Sequence, residues 1–312
     1  MTGNHFLNGQ QQAVLDNALE EDSPLFLVGA PRSGTSLLGR IVGLSPTVSI
    51  FEETGLFSLV YARRNPFRAC KMQRDAGIFV PNPFCTAFLH ACDRLRGINR
   101  LRNLLQRMLE YTRIGEYDLN PGEGLNASQG VHLKENDANM LRLLHRKYES
   151  LMQGDFGDVV GVLLRDYRLL AGKEKIAEKT PTHFLYLPLI FSKFPGARVV
   201  FISRDRKEVI ASYVDTFKNR HISWRQAVKY IHALHCRAQK VAALYSDHEH
   251  VLQLAYDDLM TSPPEAVRRI YEFLEVAPPT DLAAKLAVIG KTPSRWQKLT
   301  DTQRRRIEKI LR

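Results

Sequence analysis

No stretch of this sequence approaches the roughly 18 consecutive apolar residues that a membrane-spanning helix needs. Cysteine is scarce. Cys70, Cys85, Cys92 and Cys236 form no C-x-x-C pair. Cys85 and Cys92 lie two helical turns apart and read as packed thiols rather than ligands, which fits a reducing compartment. The opening stretch "MTGNHFLNGQQQAVLDNALEEDSP" has no basic segment followed by an apolar one. A cytoplasmic protein is therefore expected. Internal repeats and low-complexity tracts are absent.

What is present is a globular composition with a basic balance. The chain has 312 residues, 44% of them apolar, and a net charge of +11. That length suits one large α/β domain spanning 1–312. The charge is uneven. Residues 63–113 carry eleven Arg or Lys against Asp75, Asp93 and Glu110. Such a segment favours an anionic ligand or a lipid surface, and its plainer reading is a solvated helix face. The basic residues lack the interleaved aromatics of a single-strand binder, and no helix-turn-helix or zinc pattern accompanies them. Nucleic acid is not the expected partner.

An apolar run bounded by Pro and Gly predicts a buried strand at 24–29, and "ARVVFIS" at 197–203 is the clearest buried strand; further strands are expected at 48–51, 175–178 and 251–256. Helices are expected at 35–44, 182–194 with Thr182 as cap, 207–217, 224–246, 263–274, and from Thr300 or Asp301 to the C-terminus. Strands separated by helices imply a parallel central sheet covered on both faces. Residues 60–172 read as mostly helical, with loops at 81–83 and 120–130. They are too long for a simple crossover, so a helical insertion that shapes an acceptor site is expected. The ligand should lie at the carboxyl ends of the strands.

The most informative stretch is "LFLVGAPRSGTSLLGR", Leu25 to Arg40. It nearly matches the phosphate loop G-x-x-x-x-G-K-[ST], with Gly29, Gly34 and Ser36 in place. Position 35, where the lysine belongs, is Thr35, and an arginine stands earlier at Arg32. A glycine-rich turn between strand and helix still points backbone N–H groups at an anion. A nucleotide triphosphatase would need the lysine, and a strand-end carboxylate for Mg²⁺. Here the strand "ARVVFIS" ends in Ser203 and Arg204, with Asp205 following inside "RDR". The loop is poorly built for magnesium and well built for an anion that demands arginine.

Three segments together resemble the sulfotransferase family, whose donor is 3′-phosphoadenosine 5′-phosphosulfate (PAPS). "GAPRSGTSLL" looks like its 5′-phosphosulfate loop. "EKTPTHFLYLPLIFSKFPGARVVFISRDRKEVIASY" looks like its 3′-phosphate segment. "FEETGLF" is similar to a segment of the tyrosylprotein-sulfotransferase-like branch, and "TPSRWQKLT" resembles the family more weakly. The resemblance implies the phosphate-loop sulfotransferase fold and transfer of a sulfuryl group to a hydroxyl without a metal. Arg32 would stabilise charge on the leaving oxygen, and Ser33, Gly34, Thr35 and Ser36 would cradle the 5′ end. Arg204 and Ser212 would hold the 3′-phosphate; the alternative for Arg204 is a salt bridge with Asp205 or Glu208. Arg206 stands where the family often has Pro.

Glu53 is the implied general base. Glu52 and Glu53 are adjacent, so on a strand they would face opposite ways. His183 and His132 are the alternative bases. Lys179, in "EKTP", would touch the transferring group; otherwise it is a surface lysine beside Glu178. Tyr256 could line the adenosine. Trp296 could stack on the adenine, with core packing the preferred reading. Ser294, Arg295 and Lys298 are candidates for further 3′-phosphate contacts. The acceptor is expected to be a small molecule, lipid or glycan, with a tyrosine also open. Peripheral membrane contact and oligomeric state are left open. Rival readings are a Mg-ATP small-molecule kinase and a non-catalytic nucleotide-binding protein.

Overall fold

The computed structural model describes residues 23–57, 105, 108, 135–151, 156–216, 223–287, 289 and 294–311. Five strands form one sheet: β1 (Leu25–Gly29), β2 (Val48–Glu52), β3 (Lys175–Lys179), β4 (Arg198–Ser203) and β5 (Val251–Ala255). Their spatial order is β2-β3-β1-β4-β5, and every pairing is parallel. All five strands fall where the sequence places them. β1 is central, and all five of its residues are buried. Burying each Leu or Val side chain contributes about 1.5–3 kcal/mol.

Alternation along the strands divides the core between the two faces. Phe26, Val28, Val199 and Phe201 pack on one face, together with α3 (Phe156–Ala171), α4 (Leu187–Lys193) and α6 (Trp224–Leu244). Leu25, Leu27, Val200 and Ile202 pack on the other. There they meet α1 (Thr35–Gly43), α7 (Tyr256–Thr261), α8 (Pro263–Leu274) and α9 (Leu282–Leu286). A third cluster joins α5 (Arg206–Thr216) and α6 to the C-terminal α10 (Asp301–Leu311). Two tyrosine hydroxyls tie the layers together, one joining α8 to α1 and the other joining α3 to β2. Tyr271 donates to the Ile41 carbonyl, and Tyr167 donates to the Ile50 carbonyl, each at 2.7 Å.

Helix starts follow their side chains. Ser223 and Gln226 form a reciprocal capping box at α6. Thr300 and Gln303 exchange the equivalent bonds at α10, at 2.9 and 3.3 Å. Thr182 is not a cap, contrary to the sequence expectation. Pro181–Tyr186 is a 3-10 helix with Thr180 before it, and the α-helix begins only at Leu187. The reason is Pro188. It has no N–H to return to Phe184, so an α-helical register cannot run through this point. The last predicted strand residue, Tyr256, instead opens α7.

Of the expected insertion, the described parts are α2 (Glu135–Leu151) and α3. The buried Asp166 carboxylate joins them, accepting from Lys147 at 2.8 Å, Tyr148 at 2.5 Å and Arg165 at 3.0 Å. The basic segment 63–113, apart from Leu105 and Met108, lies outside the described residues. So do His132 and the N-terminal stretch.

Candidate active site

The carboxyl ends of the strands bring the candidate residues together. β1 ends at Gly29, and the turn to α1 runs through Arg32, whose φ is 73°, and Gly34, whose φ is 105°. Two glycines make this turn possible. A Cβ on Gly29 would collide with the Ile202 carbonyl, and one on Gly34 would collide with the Tyr256 ring. Arg32 has no such freedom, and holding a side-chain-bearing residue in the left-handed region costs about 1–2 kcal/mol. The strained turn aims its guanidinium across β4. Its Nε donates to Ser212 Oγ, on α5, at 3.2 Å.

Arg32 sits in a crowd of like charge. Burial lowers its pKa first, and Arg295 and Arg204 lower it further; Glu53 and Asp215 push it back up. An arginine stays protonated at neutral pH regardless. The physical content is repulsion among three guanidinium groups that Glu53, Asp215 and Glu208 partly offset. In the loop below them, Ser33 Oγ is buried and has no hydrogen-bond partner among the described residues. Thr35 is buried and Ser36 is exposed.

Arg204 follows β4 and is held on two sides. Its guanidinium lies 4.1 Å from the Tyr256 ring centroid and donates to Glu208 at 3.3 Å. The salt-bridge alternative therefore holds for Glu208, and the same arginine also lies beside Arg32 and Tyr256. Asp205 has another task. Its Oδ1 accepts from the N–H groups of Lys207 at 2.8 Å and Glu208 at 3.1 Å, so it caps α5.

Sequence reasoning missed the reach of Glu208. Besides Arg204, its carboxylate accepts from the Arg295 N–H at 2.9 Å, the Trp296 N–H at 3.3 Å and the Ser294 hydroxyl. It fastens the turn at 294–296 to the start of α5. Arg295 then reaches Asp215 at 3.1 Å. Trp296 packs against the third cluster, with the Lys207 ammonium 5.1 Å from its ring centroid. Lys298 is exposed. No sequence signal marks the Glu208 contacts beyond its i+4 spacing from Arg204.

On the other side of β1, β2 and β3 end together, with Glu52 opposite Lys179. Lys179 is not a surface lysine. Its side chain is only 1% exposed, and its Nζ lies 3.3 Å from Glu53 Oε1 and 3.5 Å from Glu52 Oε2. The two carboxylates do not face opposite ways. Glu53 leaves the strand with φ of 47°, and this turns its side chain back toward the same ammonium. The pair differs in access. The Glu52 side chain is 5% exposed and that of Glu53 62%. Burial pushes the Glu52 carboxyl up, Lys179 opposes this and Glu53 adds to it.

His183 lies beneath this pair, fully buried, with Phe57 and Tyr186 edge-on to its ring. Its Nδ1 is 2.6 Å from Glu178 Oε2.

The sulfotransferase family model matches residues 24–280, most of the chain. No curated protein sequence matches at a significant level. Several solved structures are similar to it. Sulfotransferase STF9 from Mycobacterium avium aligns with a TM-score of 0.48 and 15% identity, over 97% of this chain and 79% of that one. The sulfotransferase domain of the Synechococcus PCC 7002 olefin synthase gives 0.48 and 16%, over 95% and 98%. Mouse sulfotransferase SULT7A1, complexed with PAP, gives 0.46 and 12%, over 97% and 88%. With the family model spanning the whole sheet and the turns at its carboxyl end, the chain belongs to the sulfotransferase family, enzymes that transfer a sulfuryl group.

Proposed function

We propose that this enzyme transfers the sulfuryl group of PAPS to a hydroxyl of a small-molecule, lipid or glycan acceptor, with Glu53 as general base. The observation that carries the reading is the approach of Arg204 and Arg295 to Arg32, whose Nε bonds to Ser212. Mutual repulsion of that kind is relieved by a polyanion. The unpartnered hydroxyl of buried Ser33 in the glycine turn fits the same ligand. PAPS, when bound, supplies an activated sulfuryl group on a phosphate.

Each residue then has a task. Ser33, Gly34, Thr35 and Ser36 receive the 5′ end at the start of α1. Arg204, Ser212 and Arg295 hold the 3′-phosphate through charge-assisted bonds. Tyr256 supports Arg204 from beneath and lines the nucleotide side. Arg32 and Lys179 present fixed positive charge where negative charge gathers as the sulfur–oxygen bond to the phosphate breaks. Glu53 takes the proton from the acceptor hydroxyl as its oxygen bonds to sulfur. Its exposure suits that contact, and the burial of Glu52 and His183 disfavours them for it. The products are a sulfate ester and 3′-phosphoadenosine 5′-phosphate. Residues 60–172 shape the acceptor pocket.

The test is transfer of label from ³⁵S-PAPS, with EDTA present, to a panel of phenols, sterols and glycolipids. Labelled ester should form. Glu53→Gln should cut kcat by about 10²–10⁴ while donor affinity stays within threefold. Phosphate transfer from Mg-ATP, with no turnover of PAPS, would sink the proposal and favour a kinase.

A further inference from the structure

The Glu53–Lys179 pair rests on a buried hydrogen-bond network on the opposite side of β3. Successive residues of a strand face opposite sides. Lys179 lies toward α1, where a Cβ on Gly39 would stand 3.6 Å from it. Glu178 lies beneath, fully buried. Its Oε1 accepts from the Thr54 hydroxyl at 2.6 Å and from the Thr180 hydroxyl at 2.5 Å. Its Oε2 meets His183 Nδ1. Burial alone would raise the Glu178 pKa. The charge and hydrogen bond of His183 and the two threonine hydroxyls outweigh it and hold the carboxyl below its ordinary value.

Each threonine is a relay. The Thr54 hydroxyl also accepts the Leu56 N–H at 3.1 Å, and the Thr180 hydroxyl accepts the Gly55 N–H at 3.2 Å. The Glu53 N–H itself donates to the Lys179 carbonyl at 2.6 Å. One carboxylate therefore fixes both chain segments that carry the pair: residues 54–56 after Glu53, and Thr180 after Lys179. This matters because Glu53 has a left-handed φ, which an L-residue keeps only when its surroundings over-determine it.

We infer that Glu178, acting through Thr54 and Thr180, is the positioning residue that sets the Glu53 carboxylate against the Lys179 ammonium for proton abstraction. The inference rests on the reading of Glu53 as base. Without the two hydroxyl relays, the turn loses the bonds to Gly55 and Leu56, and Glu53 relaxes toward ordinary φ values. A displacement of about 1 Å at a reacting group costs on the order of 10²-fold in rate.

Glu178→Ala is a poor test, because the buried cavity it leaves would compromise folding. Thr54→Val and Thr180→Val keep the shape and delete the hydroxyl, and Thr54→Ser restores it. Two readouts apply to the full-length chain. Crystal structures report the Glu53 φ and its distance from Lys179, whatever the acceptor. Kinetics with PAPS and 2-naphthol report kcat and donor KM. The valine variants should lose about tenfold or more in kcat at unchanged donor KM and show Glu53 outside the left-handed region; the serine variant should recover both. Valine variants that keep Glu53 at its φ and hold kcat within twofold would overturn the inference. Full activity of Glu53→Gln would instead remove the base assignment, and the crystallographic readout would still decide whether the network positions the turn.

Discussion

Replacing Arg204 by alanine removes the guanidinium stacked on Tyr256 and its bond to Glu208. If it holds the 3′-phosphate, two charge-assisted bonds to a dianion disappear. Hydrogen bonds to charged groups contribute about 1.5–3 kcal/mol each. Two corrections reduce their sum. Removing Arg204 relieves part of the repulsion felt by Arg32, and Arg295 remains nearby. A net loss of about 2–3 kcal/mol follows, or about 30- to 150-fold in affinity. Folding should suffer less. The lost cation–π contact and ion pair are worth about 1–2 kcal/mol together, a shift of a few degrees in Tm. Glu208 keeps its bonds to Ser294, Arg295 and Trp296, so the 294–296 turn stays in place. Calorimetry with 3′-phosphoadenosine 5′-phosphate, without magnesium, measures the affinity directly. A change below threefold in a folded variant would refute the assignment of Arg204 to the 3′-phosphate.

Glu208→Gln should loosen the C-terminal turn and Arg204 together, weakening bisphosphate binding about tenfold even though position 208 itself touches no phosphate; calorimetry with Arg295→Ala as reference tests whether the two act through one site. Opposite pH signatures are expected from the two buried carboxyls. The Glu52 pKa is raised on folding. It therefore costs stability at neutral pH, and that cost disappears as pH falls through the raised value toward 4.5. Glu178 has a lowered pKa, so its contribution is complete above 4.5 and is lost as pH falls below that value. Thermal melts from pH 3 to pH 8 on Glu52→Gln and Glu178→Gln should show the first gaining on wild type toward alkaline pH. The second should lose the steep acid limb below about pH 4.5.

Much of the fold was legible because its signals are local. β1 and β4 are apolar runs closed by Gly or a polar residue, and the helices at 224 and 301 begin at capping boxes. The glycine turn after β1 was legible too, since Gly29 and Gly34 both take positive φ there. Illegible features depend on distant partners. Ser294 and Glu208 are 86 residues apart, and Thr54 and Glu178 are 124 apart. The orientation of Glu53 escaped as well. Alternation is a rule for strands, and it ceases where the backbone enters the left-handed region one residue past β2. Likewise, Pro188 alone does not announce that a 3-10 turn must precede it.

Tyr256 touches both the glycine turn after β1 and the residue that follows β4. Its ring lies close enough to Gly34 to exclude a Cβ there, and it carries the Arg204 guanidinium. One side chain on a short helix therefore ties the glycine turn to the residue after β4. If these elements hold the two ends of PAPS, as proposed, their spacing is set by Tyr256 rather than by two independent loops, and a change at this one position would disturb both ends of the nucleotide together.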